Sequence, residues 1–164
     1  VSDDLKVVTL DGEIFILNMS KVLSRCRMSH VVDASDNLEK PKLLDDHSNL
    51  NELIKMINVT LASNRDKEVI EIELNSFECP TIFGHLINYP VLYYCATENN
   101  CLSDKELLVF QVEFKNNLIM SFSLPHDIYN ENEIIRDDIK AFLNKFPEHY
   151  HVKSFTTSQS NVIL

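Results

Sequence analysis

The sequence contains the residue types of a thiol-based hydrolase. Cys101 would be the nucleophile, and His85, or else His126, would draw off its proton to generate the reactive thiolate. Asp33 is the carboxylate that completes this candidate catalytic set. Nothing in the spacing places these side chains together, and a cysteine in a connecting turn is usually just packed beneath it. A degenerate or unrecognised hydrolase is therefore the alternative interpretation of the sequence, not the preferred one.

An acid and a lysine with nuclease-like spacing stand near the end of a predicted strand. In Glu113-Phe114-Lys115 the acid would hold Mg²⁺ and the lysine would stabilise developing phosphate charge. Such a site needs a second acid, and Asp104 lies roughly 30 Å away along the strand, at about 3.3 Å per residue. Asp33 or Asp36 would have to reach across the sheet. Nuclease activity is a minor interpretation.

Metal binding has little support in the sequence. His149 and His151 would share one face of a strand, as a metal pair requires, but no third ligand follows at a recognisable distance. Four loop aspartates lack the regular oxygen spacing and turn glycine of an EF-hand calcium loop: Asp33, Asp36, Asp45 and Asp46. The sequence therefore predicts no metal.

Glycine is scarce and occurs only at Gly12 and Gly84. A loop that cradles phosphate needs several glycines, because it uses backbone conformations that other residues adopt poorly. The usual nucleotide-binding folds are therefore excluded, and no cofactor is predicted. The same scarcity favours a protein that acts through a surface over a loop-rich enzyme.

The chain is acidic, with 25 acidic and 15 basic residues among 164 and a formal net charge of −10. Such a surface repels phosphate backbones and anionic lipids, so neither nucleic acid nor a membrane is expected as a direct partner. No apolar run approaches the roughly 20 residues that cross a bilayer. An apolar fraction of 45% predicts a folded chain. The length predicts one domain over residues 1–164, with residues 1–10 and 157–164 frayed.

The cysteines match neither a zinc pattern nor a dense disulfide framework. They are Cys26, Cys79, Cys95 and Cys101. Reduced, mostly buried thiols are the simpler interpretation. We therefore expect an intracellular protein, either cytoplasmic or nuclear.

The first segment has two interpretations. Residues 12–25 carry apolar side chains at helical spacing, with Asp11 placed to cap the start, and this favours a helix. The stripe consists of Phe15, Met19, Val22 and Cys26. The alternative is a hairpin with strands at residues 7–10 and 14–17 around a turn at Asp11-Gly12.

The following elements are clearer. Continuous or alternating apolar runs predict strands over residues 30–34, 68–74 and 91–95. Helical stripes predict helices over residues 50–61, 81–88 and 135–146. Asn49 with Glu52, and Asn130 with Glu133, stand in capping-box positions. The connecting and terminal segments are a loop over residues 38–47 and an edge strand over residues 152–156 and 162–164.

Residues 106–115 and 118–124 predict a β-hairpin whose turn is constrained by side-chain parity. A two-residue Asn116-Asn117 loop would place Phe122 on the opposite face from Phe110. A three-residue loop that includes Lys115, with Asn117 left-handed, would bring the two apolar stripes together. Either the turn has three residues or the sheet is covered on both faces. All elements together predict an α+β domain with a single mixed, largely antiparallel sheet flanked by helices.

Several stretches resemble one known family. They are Phe15 to Leu23 leading into Val31-Val32-Asp33, then Cys79-Pro80-Thr81-Ile82-Phe83-Gly84-His85-Leu86-Ile87-Asn88-Tyr89-Pro90-Val91-Leu92-Tyr93-Tyr94, then Asn100 to Ser103, then Phe122 to Pro125. The family is the uncharacterised eukaryotic group of homologues of human chromosome one open reading frame seventy-four. It usually carries a bulky aromatic where this chain has His85, and a glycine where it has Asn88. The resemblance implies a fold and an intracellular setting, and it implies no catalytic residue.

A second likeness covers the opening of the chain. Residues 5–15 look like the start of ubiquitin-ligase adaptor domains of the Skp and elongin C type, which bind partner proteins. Those domains become mostly helical afterwards, whereas this chain continues into strands.

These observations favour a non-catalytic protein–protein interaction module, or a subunit of an intracellular complex. The expected docking residues form an aromatic segment near a partner groove, because Tyr and Phe anchors are enriched in interface cores. The aromatic segment comprises Phe83, Leu86, Ile87, Tyr89 and Tyr93. The competing interpretation is that these side chains fill the core.

Overall fold

The computed structural model of the protein describes residues 4–24, 30–44, 48–73, 79–95 and 100–160. Its elements are, in chain order, β1 (Leu5–Leu10), β2 (Glu13–Asn18), α1 (Met19–Leu23), β3 (His30–Asp33), β4 (Lys42–Leu43), α2 (Ser48–Ser63), β5 (Val69–Ile72), α3 (Cys79–Leu86), β6 (Val91–Tyr94), β7 (Glu106–Phe114), β8 (Asn117–Pro125), α4 (His126–Glu131), α5 (Glu133–Leu143) and β9 (Tyr150–Ser158). The α+β class is confirmed. The expectations for residues 1–3, Arg25, Cys26, Asp45, Asp46, Leu74 and residues 161–164 lie outside the described residues.

The described strands form three three-stranded sheets, not the single sheet predicted. Their strand orders are β2-β1-β5, β4-β3-β6 and β8-β7-β9. Two pairings are parallel, β1 with β5 and β3 with β6. The other four are antiparallel, so the mixed, largely antiparallel character is as expected.

β1 and β2 form a hairpin, so the preferred prediction of a helix starting at Gly12 is wrong. Asp11 and Gly12 have φ of 49° and 89°, as a tight two-residue hairpin turn requires. The helix is confined to α1, where the Asn18 side chain accepts a hydrogen bond from the Lys21 amide at 3.0 Å. β1 is the central strand of its sheet, and its residues Leu5–Leu10 lie in the range 1–10 that was expected to fray.

Helix α2 packs its predicted apolar stripe into the first core cluster. The stripe residues Leu50, Ile54, Ile57 and Leu61 are buried with Val8, Leu10 and Ile70 of the β2-β1-β5 sheet. The helix begins at Ser48, so Asn49 lies inside its first turn. The prediction that Asn49 is the N-cap is therefore wrong. Upstream, Leu43 pairs with Val32, so the stretch predicted as a loop contains strand β4.

Helix α3 lies close against β6, and Gly84 makes this approach possible. A Cβ at Gly84 would come within 2.7 Å of Leu92 Cδ2. The Thr81 hydroxyl donates to the Tyr93 carbonyl at 2.5 Å, which fixes the helix on the strand. After the helix, Asn88 has a φ of 67°. Glycine adopts this left-handed conformation best and asparagine next best, so Asn88 can replace the glycine of the resembling family.

The β7–β8 turn differs from both predicted loops. Its two residues are Lys115 and Asn116, with φ of 50° and 65°. Phe114 pairs with Asn117 on either side of them, so Asn117 already belongs to β8.

A β-bulge then solves the parity problem of this hairpin. The register shifts between Val112 and Glu113, which leaves Ile119 as the extra residue on β8. Beyond the bulge Phe110 pairs with Phe122, and their stacked rings lie 5.2 Å apart. Both apolar stripes therefore face the same side.

Helix α5 covers that side. Its stripe residues Ile135, Ile139 and Phe142 are buried against Phe110, Phe122 and Leu124. The N-cap is Asn132, whose side chain accepts a hydrogen bond from the Ile135 amide at 3.1 Å. The predicted cap Asn130 is wrong because it lies inside α4. Asp138 Oδ2 also contacts His30 Nε2 at 2.8 Å and ties α5 to β3.

Strand β9 lies at one edge of the third sheet, as predicted for residues 152–156, and it pairs with β7. It runs from Tyr150 to Ser158, so its last two residues lie in the range 157–164 that was expected to fray.

Two neighbouring isoleucines on α5 test this packing. Ile135 is 0% exposed and Ile134 is 63% exposed. We expect Ile135→Ala to lower the free energy of unfolding by about 2–5 kcal/mol, because it leaves a cavity under the sheet. Ile134→Ala should change it by no more than about 0.5 kcal/mol. Urea denaturation measures both, and equal effects would contradict the orientation of α5.

The turn conformation is tested by Lys115→Val. A β-branched side chain is strained at positive φ, so we expect the free energy of unfolding to fall by about 1 kcal/mol or more. The matched control is Leu118→Val on the adjoining strand, where valine is well tolerated and a change below about 0.5 kcal/mol is expected. A neutral Lys115→Val variant would contradict the two-residue turn.

Candidate functional site

The carboxyl ends of β3 and β6 bring two of the three candidate hydrolase residues together. These strands run parallel, with Asp33 level with Tyr94. The Ala34 amide donates to the Tyr94 carbonyl at 2.9 Å, and the Ala34 carbonyl accepts from the Cys101 amide at 2.8 Å. The Asp33 carboxylate accepts hydrogen bonds from the Ser35 amide and hydroxyl at 3.1 and 2.7 Å. Asp33 and Cys101 thus share the edge where parallel sheets commonly bind ligands.

The electrostatics of this edge oppose a thiolate. Burial raises the pKa of Cys101, and the charges of Asp33 and Asp36 raise it further. Burial likewise raises the pKa of the neighbouring Cys95 to about 11, with the Cys101, Asp33 and Asp36 charges adding to the effect. A nucleophilic cysteine needs the opposite shift, which cationic neighbours provide. Both thiols therefore stay protonated at neutral pH.

The candidate base His85 is buried in the last turn of α3. The charges that act on Cys101 come from Asp33, Asp36 and Lys105. Lys105 lowers the pKa of the thiol but does not outweigh burial and the nearby carboxylates. The edge has a nucleophile-type residue and an acid, but its field suppresses the chemistry that a hydrolase would need.

Glu113 and Lys115, the pair with nuclease-like spacing, each contact other side chains. Glu113 Oε2 lies 2.7 Å from the Nζ of Lys153 on the neighbouring strand. Lys115 occupies the turn, and its Nζ lies 5.1 Å from the centre of the Phe114 ring. Glu113 therefore forms a cross-strand ion pair and Lys115 a cation–π contact. A nuclease would instead need both side chains to point at one metal-bound phosphate.

Within the described ranges, no group of three or more His, Cys, Asp or Glu side chains is arranged to hold a metal ion. The His149 ring instead packs on Phe114 and on Tyr150, with centroids 5.5 and 4.8 Å apart. His151 pairs with Glu113 across β9 and β7.

A cavity of about 720 Å³ opens between the β4 segment, the start of β7 and α4. Charges of both signs line it: Lys40, Lys42 and Lys105 with Glu39, Glu106, Asp127 and Glu131. Glu106 also lies 3.2 Å from Nδ1 of His126, the other histidine considered as a base. Because both signs are present, the lining favours neither a cationic nor an anionic ligand.

The aromatic segment is divided between the interior and the surface. Leu86 is buried, and Phe83 packs on Phe15 with ring centroids 5.0 Å apart. Tyr93 donates from its hydroxyl to the Ser123 carbonyl at 3.2 Å, and burial raises the pKa of that phenol well above its usual value. These three side chains serve mainly to join the secondary-structure elements.

Two members of the aromatic segment reach the surface. Ile87 is exposed and Tyr89 is half-buried. The Tyr89 ring lies 6.1 Å from that of Phe122, and burial raises the pKa of its hydroxyl. The segment as a whole therefore offers a small exposed area.

A larger apolar surface lies on the β2-β1-β5 sheet. The side of this sheet opposite the core carries Leu5, Val7, Thr9, Ile14, Ile16, Asn18, Val69 and Glu71, which we call the aliphatic face. Ile14 and Ile16 are 72% and 73% exposed. In register, Ile16, Val7 and Val69 form a straight apolar row across all three strands.

The sequence did carry a sign of this surface. Residues 7–8 and 14–17 are apolar at consecutive positions, so a strand there must place apolar side chains on both of its faces. A helix over this segment would distribute them differently. A helical interpretation of this segment therefore does not predict the aliphatic face.

These features define an α+β protein with an exposed apolar sheet face and a strand edge at which the pKa values of two cysteines are raised. A family model described as a domain of unknown function, DUF4504, matches residues 1–164, and the chain belongs to this family. No curated protein and no solved structure matches the chain. Among the helices of the described ranges, none combines the length and apolarity required to cross a bilayer.

The suppressed thiol gives a direct test. We expect Asp33→Asn to lower the pKa of Cys101 and so to speed its alkylation by iodoacetamide, because the amide carries no charge to oppose the thiolate. Mass spectrometry of the Cys101 peptide across a neutral-to-alkaline pH series measures the rate. The control Asp127→Asn, on α4, should leave the rate unchanged. Alkylation of the unaltered protein faster than that of a free cysteine would restore the nucleophile interpretation.

Proposed function

We propose that this protein is a non-catalytic interaction module, or a subunit of a larger complex, and that the aliphatic face binds its protein partner. The observation that carries the proposal is the exposure of Ile14 and Ile16 on a sheet whose other side contributes buried residues to the first core cluster. Contiguous apolar patches rimmed by polar residues are typical of interaction sites.

The hydrophobic effect favours burial of the aliphatic face by a partner. Burying an isoleucine side chain contributes about 1.5–3 kcal/mol. Ile14 and Ile16 are joined by the partly or largely exposed Leu5, Val7 and Val69, so one docking event would remove several aliphatic side chains from water. A few such residues are enough to dominate the affinity of an interface.

The raised pKa of Cys101 supports the non-catalytic assignment. The acids beside it disfavour the charged form that a hydrolase would use. The hydrolase interpretation built on Cys101, His85 and Asp33 is therefore the weaker of the two.

Within its family, we infer that the chain is a homologue of human chromosome one open reading frame seventy-four. The positive φ of Asn88 supports this, since the backbone there suits the glycine that those homologues usually carry. We also propose an intracellular setting, cytoplasmic or nuclear. The free thiols of Cys95 and Cys101 are consistent with a reducing compartment.

The test is a comparison of partners in the native cells. A tagged chain should recover a stoichiometric partner, and Ile16→Asp should reduce its recovery at least tenfold, because a carboxylate in the apolar row would be desolvated on binding. The matched control is Ile134→Asp, which adds the same charge at an exposed site on α5. Circular dichroism confirms that both variants fold.

The comparison of the variants is then repeated with the purified partner, and calorimetry measures the affinity. Equal recovery by Ile16→Asp and the unaltered chain would remove the aliphatic face as the docking surface. A chain that recovers no stoichiometric partner would contradict the interaction module itself.

A further inference from the structure

The aliphatic face has the dimensions of one α-helix. Neighbouring strands lie about 4.8 Å apart, so three strands present a strip about 10 Å wide between the outer two. A helix is about 10 Å in diameter. Alternate residues along a strand are about 7 Å apart, so three rows extend about 14 Å, the length of nine or ten helical residues at about 1.5 Å each.

The net negative charge around the aliphatic face lies at the end with the β1–β2 turn. At the opposite end the acidic and basic side chains are equal in number: Asp4, Asp66 and Glu68 with Lys6, Arg65 and Lys67. Glu71 is the one ionisable residue among the eight that form the face. Asp11 donates its amide to the Ile72 carbonyl at 3.2 Å, which places the hairpin turn beside the end of β5. The exposed Glu73 follows β5 at the same end, whereas Glu13 is level with Leu10 on the other side of the sheet. A partner would therefore meet acidic side chains at the turn end of the aliphatic face.

A second copy of the chain is a poor occupant. Each copy has a formal net charge of −10 and would bring its own acidic turn end to the contact. A stable dimer buries about 800 Å² of accessible surface on each partner, which takes about 20–30 residues a side, whereas the aliphatic face has eight residues. A single cationic helix matches both the dimensions of the aliphatic face and the acidic side chains at its turn end.

We propose that the aliphatic face binds an amphipathic α-helix of a partner protein, with an aliphatic stripe on Ile14, Ile16 and Val69 and with lysine or arginine side chains at the end that meets Glu71. This inference rests on the proposed function and specifies the partner segment. The mode is a helix laid on an apolar surface, with affinity from the stripe and orientation from the charges.

The test uses synthetic peptides of about 18 residues, long enough to cover the face. One has a leucine and isoleucine stripe at helical spacing with lysines beside it. A second replaces every lysine by glutamate, a third is a scrambled basic sequence, and a fourth is basic with strand-like alternation. Fluorescence anisotropy measures affinity at about 50 and about 200 mM salt, and methyl NMR locates the contact.

We expect the basic helical peptide to bind with micromolar affinity, to shift the Ile14 and Ile16 methyl signals, and to become helical. Its glutamate counterpart and the scrambled peptide should bind at least tenfold more weakly. Glu71→Gln should weaken binding about threefold and reduce its salt dependence, since one charge contact is lost.

Ile16→Asp separates docking from general attraction to an acidic protein. This variant is more negative, so non-specific attraction would be retained or strengthened, whereas docking on the apolar row should weaken at least tenfold. Ile134→Asp adds the same charge on α5 and should not weaken binding.

The inference is overturned if the acidic or scrambled peptide binds equally well, if the strand-like peptide binds better, or if Ile16→Asp leaves affinity unchanged. A cellular partner that still depends on Ile16 in those cases would leave the interaction module standing.

Discussion

The alternation of side chains along β1 is the constraint on which the arrangement depends. Val8 and Leu10 are completely buried, and the strand period of two then directs Leu5, Val7 and Thr9 to the other side. The flanking strands follow this parity because they are paired with β1 in fixed register. One choice of inward residues therefore creates both the first core cluster and the surface that we propose binds a partner.

The sequence predicted elements that are specified locally. α2 and α5 have complete apolar stripes, and β5 alternates strictly, so each was correctly placed without knowledge of its neighbours. The helix boundaries were less accurate because several Asn residues compete as caps, and Asn132 rather than Asn130 provides the side-chain oxygen. The fold class needed only the order of these elements.

The remaining features depend on tertiary pairing, which the chain does not reveal locally. The spacing of Phe15, Met19 and Val22 suits one helix, yet it also results when a strand ends and a short helix begins at Met19. The bulge at Ile119 exists because Phe110 and Phe122 must face the same helix layer. For the candidate site, Asp33 and Cys101 could be named from their residue types. Their place at one strand edge, and the effect of Asp33 and Asp36 in raising the pKa of Cys101, depend on the fold.

The two neighbours of β1 reach it by very different routes. β2 follows through a two-residue turn, so this hairpin can form while little else is ordered. β5 is separated from it by α1, β3, β4 and α2. Loop-closure entropy makes that parallel pairing slow, and during synthesis Val69–Ile72 leaves the ribosome long after β1 does. Until then, one side of β1 remains an open strand edge, which is a surface on which another extended chain can pair.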